Sequence, residues 1–551
     1  MMRRREFLLI AGGAALRATM PEPARAAETA GAPETAADVC VYGGTAAGVV
    51  AAVAAAREGC RVVIVEPSRW LGGMTGGGLS HIDWGRPEAV GGVTRTLLKD
   101  GRSDPEYRRA FAELVKAHSI PVVFEHRLGS VVRDGTAVRA VTLDHAPPDR
   151  LGCPVAAPTK AAAVAVAAKV FIDCTYEGDL MARAGVSYTF GRESSAQYGE
   201  SLAGVRPELA VYRIDPYRNP GDPKSGLIPL LQDYRPGRLG GADRLTMGYG
   251  FRWKFSTAAD RLPIDPPEGY DPAMFELYRR GFKAGVNMAQ GRKMHVLGKY
   301  EPEGGNMFKP GAGNLSRGLW APAVYGSNAD YPDGDYAARA RIWKFHQDFL
   351  RGMTHFLRTD PSVPAGLRKQ AEGVGFGPGQ FDDTAGYPHQ LYVREARRMK
   401  SGYVVTQKDL EGGTDPDDPV GLASYGVDDW PYATHPHADG VALQGGEFSI
   451  LYLTERNRGI YRIPFRAIVP AKAECANLLV PVCCSASHIA MTSIRMEPVW
   501  MILGESAGVA AAMAVRGKSA VQDVAYPALR QKLLALGQRL DPAIPAEPVA
   551  K

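Results

Sequence analysis

A six-residue turn, Gly43-Gly44-Thr45-Ala46-Ala47-Gly48, separates an apolar run from an alanine-rich stretch, and an acid, Glu66, follows 23 positions after Gly43. Residues of these types at this spacing suit a dinucleotide. Small side chains let backbone amides approach a pyrophosphate at a helix N-terminus, where free N–H groups and the helix dipole favour an anion. Gly43 makes the tight turn, Gly48 lets helix pack on strand, and Glu66 is placed to bond a ribose hydroxyl. Thr45 stands where the fingerprint has its second glycine, while Gly44, Ala46 and Ala47 keep the turn uncluttered. A purely structural unit of the same shape is the bland alternative.

The elements that must position these groups are a buried strand over Asp38–Tyr42, a helix over Ala46–Glu58 and a strand over Arg61–Glu66. This is the βαβ unit of a dinucleotide fold. A second glycine-rich loop, "LGGMTGGGLS" (Leu71–Ser80), comes directly after the acid. It allows a further close approach to phosphates and to a flavin ring, which favours FAD over NAD.

Bulk properties exclude some classes. The 551 residues allow about two or three domains. Hydrophobic residues make up 45% and charged residues 23%, ordinary values for a globular protein. The formal charge is +6, of which residues 1–26 supply five arginines against two glutamates. What remains is too small and dispersed to indicate nucleic acid. The leader "RRREFLLIAGGAALRA" resembles a twin-arginine signal, with "ARA" before Ala27, so a periplasmic or secreted location is expected. A basic start on a cytosolic protein is the alternative. Seven cysteines are too odd a number for a fully paired framework, and none has CxxC spacing. The vicinal Cys483-Cys484 pair would permit a strained disulfide.

Three further segments carry a family resemblance: "KVFIDCTYEGDLMARAGVSYTFGRES" (Lys169–Ser194), "HQLYVREARRMKSGYVVTQKDL" (His389–Leu410) and "YRIPFRAIVP…NLLVPVCCSASHIAMTSIRMEPVWMILGESAGVAAAMAV" (Tyr461–Val515). With the βαβ unit they resemble FAD-dependent oxidoreductases of glutathione-reductase-like fold, whose bacterial members often carry a xanthan-lyase-like label. The resemblance spans about residues 38–517. It departs at "KYEPEGGNMFKPGAGN" (Lys299–Asn314), where relatives carry a Lys-x-Asp-x-Asn-like segment.

The resemblance implies an α/β fold, a Rossmann-like FAD-binding domain with an inserted α+β substrate or cap domain. Its bounds would be a signal peptide at 1–26, a discontinuous FAD domain at 36–200 and 455–520, the insert at 201–454, and a peripheral helix and tail at 521–551. It implies cofactor contacts at Pro67, Arg69, Gly72, Gly73, Met74, Thr75, Val131, Thr175, Gly178, Asp179 and Ser485, beside the fingerprint residues. Met496–Val515 is apolar enough to span a bilayer, but Glu497, Pro498 and Glu505 favour a buried helix, so no integral membrane segment is expected in the mature chain.

Flavin chemistry needs a proton acceptor and fixed charges near the ring. His488 is the leading acceptor candidate, with a hydrogen-bonded structural histidine as the alternative. Arg495 would hold an anionic group or the flavin edge, or pair with Glu497, the third catalytic candidate. Arg394, Arg397 and Arg398 are spaced for neighbouring faces of a helix. His435 and His437 alternate on an expected loop, without the partner set a metal needs, and no metal is expected. The reading is an exported oxidoreductase acting by hydride transfer on a small organic substrate, with an unknown electron acceptor. A polysaccharide lyase and a non-catalytic flavin-binding protein are the alternatives.

Overall fold

The structure is a computed structural model that describes residues 34–98, 102–289, 294, 306–308, 318–446 and 456–543. The leader, most of the Lys299–Asn314 departure and the tail after residue 543 lie outside the described residues.

Strands β1 (Glu34–Tyr42), β2 (Val62–Glu66), β3 (Val122–Phe124), β4 (His126–Asp134), β5 (Ala137–His145), β6 (Lys160–Asp173) and β7 (Leu478–Leu479) form one sheet. Val39–Tyr42 and Val62–Val65 are apolar and buried, as strands covered on both faces must be. β1 pairs in parallel with β2, from Val39↔Val62 to Tyr42↔Val65. On its other edge it pairs in parallel with β6, from Glu34↔Ala165 to Tyr42↔Asp173. β3 joins β2, and β7 joins β6, also in parallel. On its far side β6, from Lys160 to Ala167, continues an antiparallel meander with β5 and β4. The strand order therefore diverges at β1, toward β2 on one side and β6 on the other, and the carboxyl ends of β1, β2 and β6 share one edge, where open α/β sheets bind ligands.

Five helices matter to that edge: α1 (Ala46–Arg57), α2 (Gly73–Gly77), α3 (Tyr336–Thr359), α4 (His488–Ile494) and α5 (Glu497–Gly517). α1 is buried all round from Ala46 to Ala55, which its alanines and valines allow. α5 lies against it backbone to backbone: a Cβ on Gly504 would collide with the Ala47 carbonyl, and one on Gly508 with that of Ala51. α5 is long and apolar enough to cross a bilayer, yet it is packed inside the protein.

Between β6 and the return to β7 the described residues build four small antiparallel sheets, two of them three-stranded. One joins Glu208–Tyr212, Ala433–His437 and Gly440–Gln444; the other centres on Trp253–Ser256. Aromatic rings fill this region, with Trp253 5.0 Å from Phe376 and Phe275 5.3 Å from Phe356.

Two local expectations are corrected. Arg394, Arg397 and Arg398 lie on no helix, because residues 391–399 run buried through the protein and Arg398–Met399 pairs with Tyr188–Thr189. Burial of a non-helical path has overridden a helix-favouring composition. His435 and His437 lie on a paired strand rather than a loop. All seven cysteines are free, Cys483 and Cys484 included.

Candidate active site

A cavity with about 1030 Å³ of empty space, part of it open to solvent, lies at the shared carboxyl edge. Tyr42, Glu66 and Thr175, at or just beyond the ends of β1, β2 and β6, all reach it. The turn after β1 is tight: Gly43 has φ +97°, and a Cβ on Gly48 would collide with the Gly43 carbonyl.

Thr45 is more than tolerated there. Its Oγ1 accepts from the Gly48 amide (3.1 Å), capping α1, and donates to the Cys174 carbonyl (2.8 Å), tying the turn to the strand across the crevice. The Gly44 amide donates to Glu66 Oε2 (2.6 Å), and the Ser68 amide to Oε1 (2.7 Å). Burial raises the Glu66 carboxyl above its usual range. The second glycine loop is joined to the first by the Gly72 amide, which donates to the Gly44 carbonyl at 2.8 Å.

Beneath this loop is a buried hydroxyl–carboxyl cluster. The Met74 amide donates to Tyr176 Oη (2.8 Å), which donates to Glu497 Oε1 (2.9 Å), and the Thr75 hydroxyl donates to the other carboxyl oxygen. Burial pushes Glu497 up to about 7, with the two hydroxyls opposing only part of the shift.

The insert supplies another part of the wall. Tyr336, Arg339 and Trp343 lie on one face of α3, at i, i+3 and i+7. Arg339 donates to Asp179 Oδ2 (2.7 Å) and Arg397 to Oδ1 (2.8 Å). Burial alone would raise Asp179; the two guanidiniums hold it at about 2. Glu177, also in the wall, is raised to about 7 by burial, against the pull of Arg339 and a hydrogen bond from Tyr331 (3.1 Å).

Of the expected cofactor residues, Gly43, Thr45, Glu66, Pro67, Gly73, Thr175 and Asp179 line the cavity. Gly44, Ala46, Ala47, Gly48, Gly72, Met74, Thr75 and Gly178 stand beside them in the same turns and helix starts. Arg69 braces the rim, donating to the Pro148 carbonyl (2.7 Å) and pairing with Glu125 (3.0 Å). Two residues are placed elsewhere. Val131 pairs with Val141 in mid-strand, and the cavity meets β4 at Arg127. Ser485 is held by the 401–405 segment, its carbonyl accepting from Val405 (3.0 Å).

The structure does not bring His488, Arg495 and Glu497 together. His488 has both ring nitrogens engaged, Nδ1 with Glu395 (2.8 Å) and Nε2 with the Tyr432 hydroxyl, and it does not line the cavity. Arg495 pairs with Asp428 (2.6 Å) and Tyr392 (2.9 Å) rather than with Glu497. Glu497 reaches the cavity indirectly, through the wall residue Tyr176. Sequence reasoning missed Trp70, Arg127 and the α3 stripe. The stripe was findable from the spacing of Tyr336, Arg339 and Trp343; Trp70 and His389 meet only through the tertiary fold.

The parallel sheet, glycine turn and ribose-placed acid define a Rossmann-like dinucleotide-binding α/β protein. The profile of the family described as FAD dependent oxidoreductase matches residues 38–533, and the chain belongs to that family. The family is defined by its dependence on FAD, and FAD is its cofactor. The residues fit the group: the turn would be filled by any added Cβ, α1 opens on the cavity, and Glu66 offers a carboxylate to a ribose.

Among solved structures, similarity is partial. A geranylgeranyl bacteriochlorophyll reductase-like protein of Thermoplasma acidophilum is 20% identical over 28% of this chain and 43% of its own, with a TM-score of 0.19. Thioredoxin reductase of T. acidophilum is 20% identical over 30% and 40%, with a TM-score of 0.17. L-proline dehydrogenase of P. horikoshii is 18% identical over 31% and 26%, also at 0.17. The chain thus spans less than half the length of each. Among curated proteins, none matches.

Proposed function

We propose that this chain is an exported oxidoreductase that exchanges a hydride between a small organic substrate and its FAD. The observation that carries the reading is one cavity with two kinds of wall. The glycine turn and Glu66 lie on one part, and the insert's Arg339 and Tyr331, with Glu177 beside them, on another. When bound, FAD supplies reversible two-electron chemistry; the protein supplies position and proton handling.

Glu66, Gly43 and the start of α1 would hold the nucleotide half. Glu177, with a carboxyl at about 7, is suited to take or give a proton near neutrality. Tyr176 and Thr75 hold the Glu497 carboxyl as a second proton site behind the wall. Arg339 and Arg397 keep Asp179 ionised, so that this buried acid carries no exchangeable proton. His488 and Arg495 sit in a buried network behind the cavity, and their role in this reading is to position the segments around it.

The test is the visible spectrum of the purified protein before and after acid precipitation, followed by anaerobic addition of candidate donors. A flavin released by acid and bleached by a donor supports the reading. A flavin that no donor bleaches would leave a binding protein, and absence of flavin after reconstitution would revive the lyase alternative. Export is tested separately, by fractionating cells that express the chain with Arg4→Lys and Arg5→Lys. Retention in the cytoplasm is the expected outcome, and unchanged export would sink it.

A further inference from the structure

In the three-stranded sheet of Ala433–His437, Gly440–Gln444 and Glu208–Tyr212, the last strand is outermost. The opposite edge is occupied: the Gln232 amide donates to the Thr434 carbonyl (2.7 Å), and the Thr434 amide to the Tyr325 carbonyl (3.2 Å). The long edge of the main sheet is occupied too, the Leu128 carbonyl of β4 accepting from Arg183 and from Tyr336, each at 2.9 Å. Along Glu208–Tyr212 there is instead a groove with about 820 Å³ of empty space, open solvent included, lined by Leu209–Arg213 and by Val286 and Asn287. Two of the four large apolar side chains exposed among the described residues lie at this edge or beside it. Val211, in the strand, is 41% exposed. Leu239 is 63% exposed, on a loop held to Val205 by the Gly240 amide (2.8 Å), three residues before the strand. An open strand edge is a template for another strand.

The register decides which strand fits. Tyr212, Val211 and Ala210 face Val441, Ala442 and Leu443 of the middle strand, but the next residue there, Gln444, faces Glu208. Leu209 is therefore an extra residue, a bulge. Paired residues share a face, and so do residues two apart along a strand. Without the bulge, Glu208 and Arg213 would point to opposite faces; with it, Glu208, Val211 and Arg213 share one. The register carries on to Arg213, because a Cβ on Gly440 would meet the Tyr212 carbonyl and the Ile214 amide on either side of it. Arg213 is exposed and Glu208 half-buried, and neither has an ion-pair partner among the described residues.

A second copy of this strand, laid antiparallel about a two-fold axis at Val211, complements the first. Val211 meets Val211 of the second copy, Ala210 meets Tyr212, and Glu208 meets Arg213. The symmetry makes each of the last two contacts twice. Opposite charges set directly across an antiparallel pair stabilise it, and like charges destabilise it. The exposed Val211 side chains cover each other. The Tyr212 carbonyl turns toward Gly440, so alternation turns the N–H and C=O of Val211 to the open edge, where two copies can exchange both bonds. Moving the axis one residue either way sets Glu208 or Arg213 against Val211 and loses both charge pairs.

We propose that Glu208–Arg213 is a homodimer interface, at which the edge strands of two copies pair antiparallel about Val211 and join two three-stranded sheets into one of six. The inference is independent of the redox reading.

The experiment is sedimentation equilibrium of the FAD-loaded full chain over a dilution series. Wild type is compared with Glu208→Arg, Arg213→Glu, Val211→Lys and the double exchange Glu208→Arg/Arg213→Glu. Wild type is expected to dimerise reversibly. Each single reversal opposes like charges twice per dimer and is expected to weaken dimerisation about tenfold or more. Val211→Lys sets two ammonium groups together at the axis and is expected to leave only monomer. The double exchange rebuilds both pairs with their signs swapped, and is expected to return the dissociation constant to within about threefold of wild type. Flavin absorbance reports that each variant is folded, and rescue by the double exchange separates a lost contact from a damaged fold. Three results overturn the proposal. Wild type stays monomeric up to about 0.1 mM; or the dimer survives both single reversals, which puts it on another face; or the two reversals add in the double variant, which means that Glu208 and Arg213 do not face each other.

Discussion

The two walls of the cavity are built on opposite principles. The glycine-turn wall uses backbone and small side chains: Gly43, Gly44 and Gly48 leave room, Thr45 ties the turn across the crevice, and Glu66 is the single charge. The insert wall uses large side chains locked by other side chains: Arg339 and Arg397 on Asp179, and His389 between Trp70, Phe381 and Asp383. A backbone-built wall has one way to fail, by losing space. A side-chain wall fails by losing a partner, and the loss is graded. The first suits a fixed cofactor, the second a variable ligand.

That contrast can be broken or sharpened in four ways. The largest effect is expected from Gly48→Val, whose added carbons collide with the Gly43 carbonyl. It should abolish flavin retention and cost at least about 4 kcal/mol, read from the visible flavin absorbance and from urea denaturation. Retained flavin would show that the turn is not space-limited. On the other wall, Arg339→Met leaves Asp179 with one guanidinium instead of two. It should cost about 3 kcal/mol in denaturation yet leave flavin in place.

Glu497→Gln tests the cluster behind the glycine loop. Burial raises this carboxyl from 4.5 to about 7, so the folded protein keeps a proton that the unfolded chain releases. Wild-type stability should therefore fall as pH rises between those two values. The variant lacks that loss, and should exceed wild type by about 3 kcal/mol near pH 8 and by little near pH 4. Equal pH profiles would mean that Glu497 is ionised in the fold. The smallest effect belongs to Thr45→Gly, which restores the fingerprint glycine. It should cost about 1 kcal/mol by removing the bond to the Cys174 carbonyl, with flavin retained. Higher stability in this variant would make the threonine a defect rather than a brace.

The glycine-turn wall was legible in the sequence because all its information is local. Spacing within Asp38–Glu66 dictates strand, turn, helix and acid, and the structure moves only the ends: β1 starts at Glu34, and α1 stops at Arg57. The insert wall was mostly illegible because its members come from separated segments. Trp70 and His389 share no pattern, and the helix expected around Arg394–Arg398 yields to a buried extended path. The α3 stripe is the exception, a helical spacing readable in "YAARARIW". The emphasis on His488 rested on its place in the chain, between a strand and a helix. That could not reveal that Glu395 and Tyr432 would take both of its nitrogens.

The contact of Gly504 and Gly508 with α1 bears on how the molecule comes into being. The flavin-binding turn is among the first folded parts of the chain to leave the ribosome, and the helix that buries α1 is among the last. Until α5 arrives, the alanine face of α1 has no backbone to rest on, and β7 is missing from the edge of the sheet. Contacts of such wide sequence separation form late and slowly. The sheet's cofactor site is thus completed only after synthesis of nearly the whole chain, and a chain cut short before α5 is left with an exposed apolar helix.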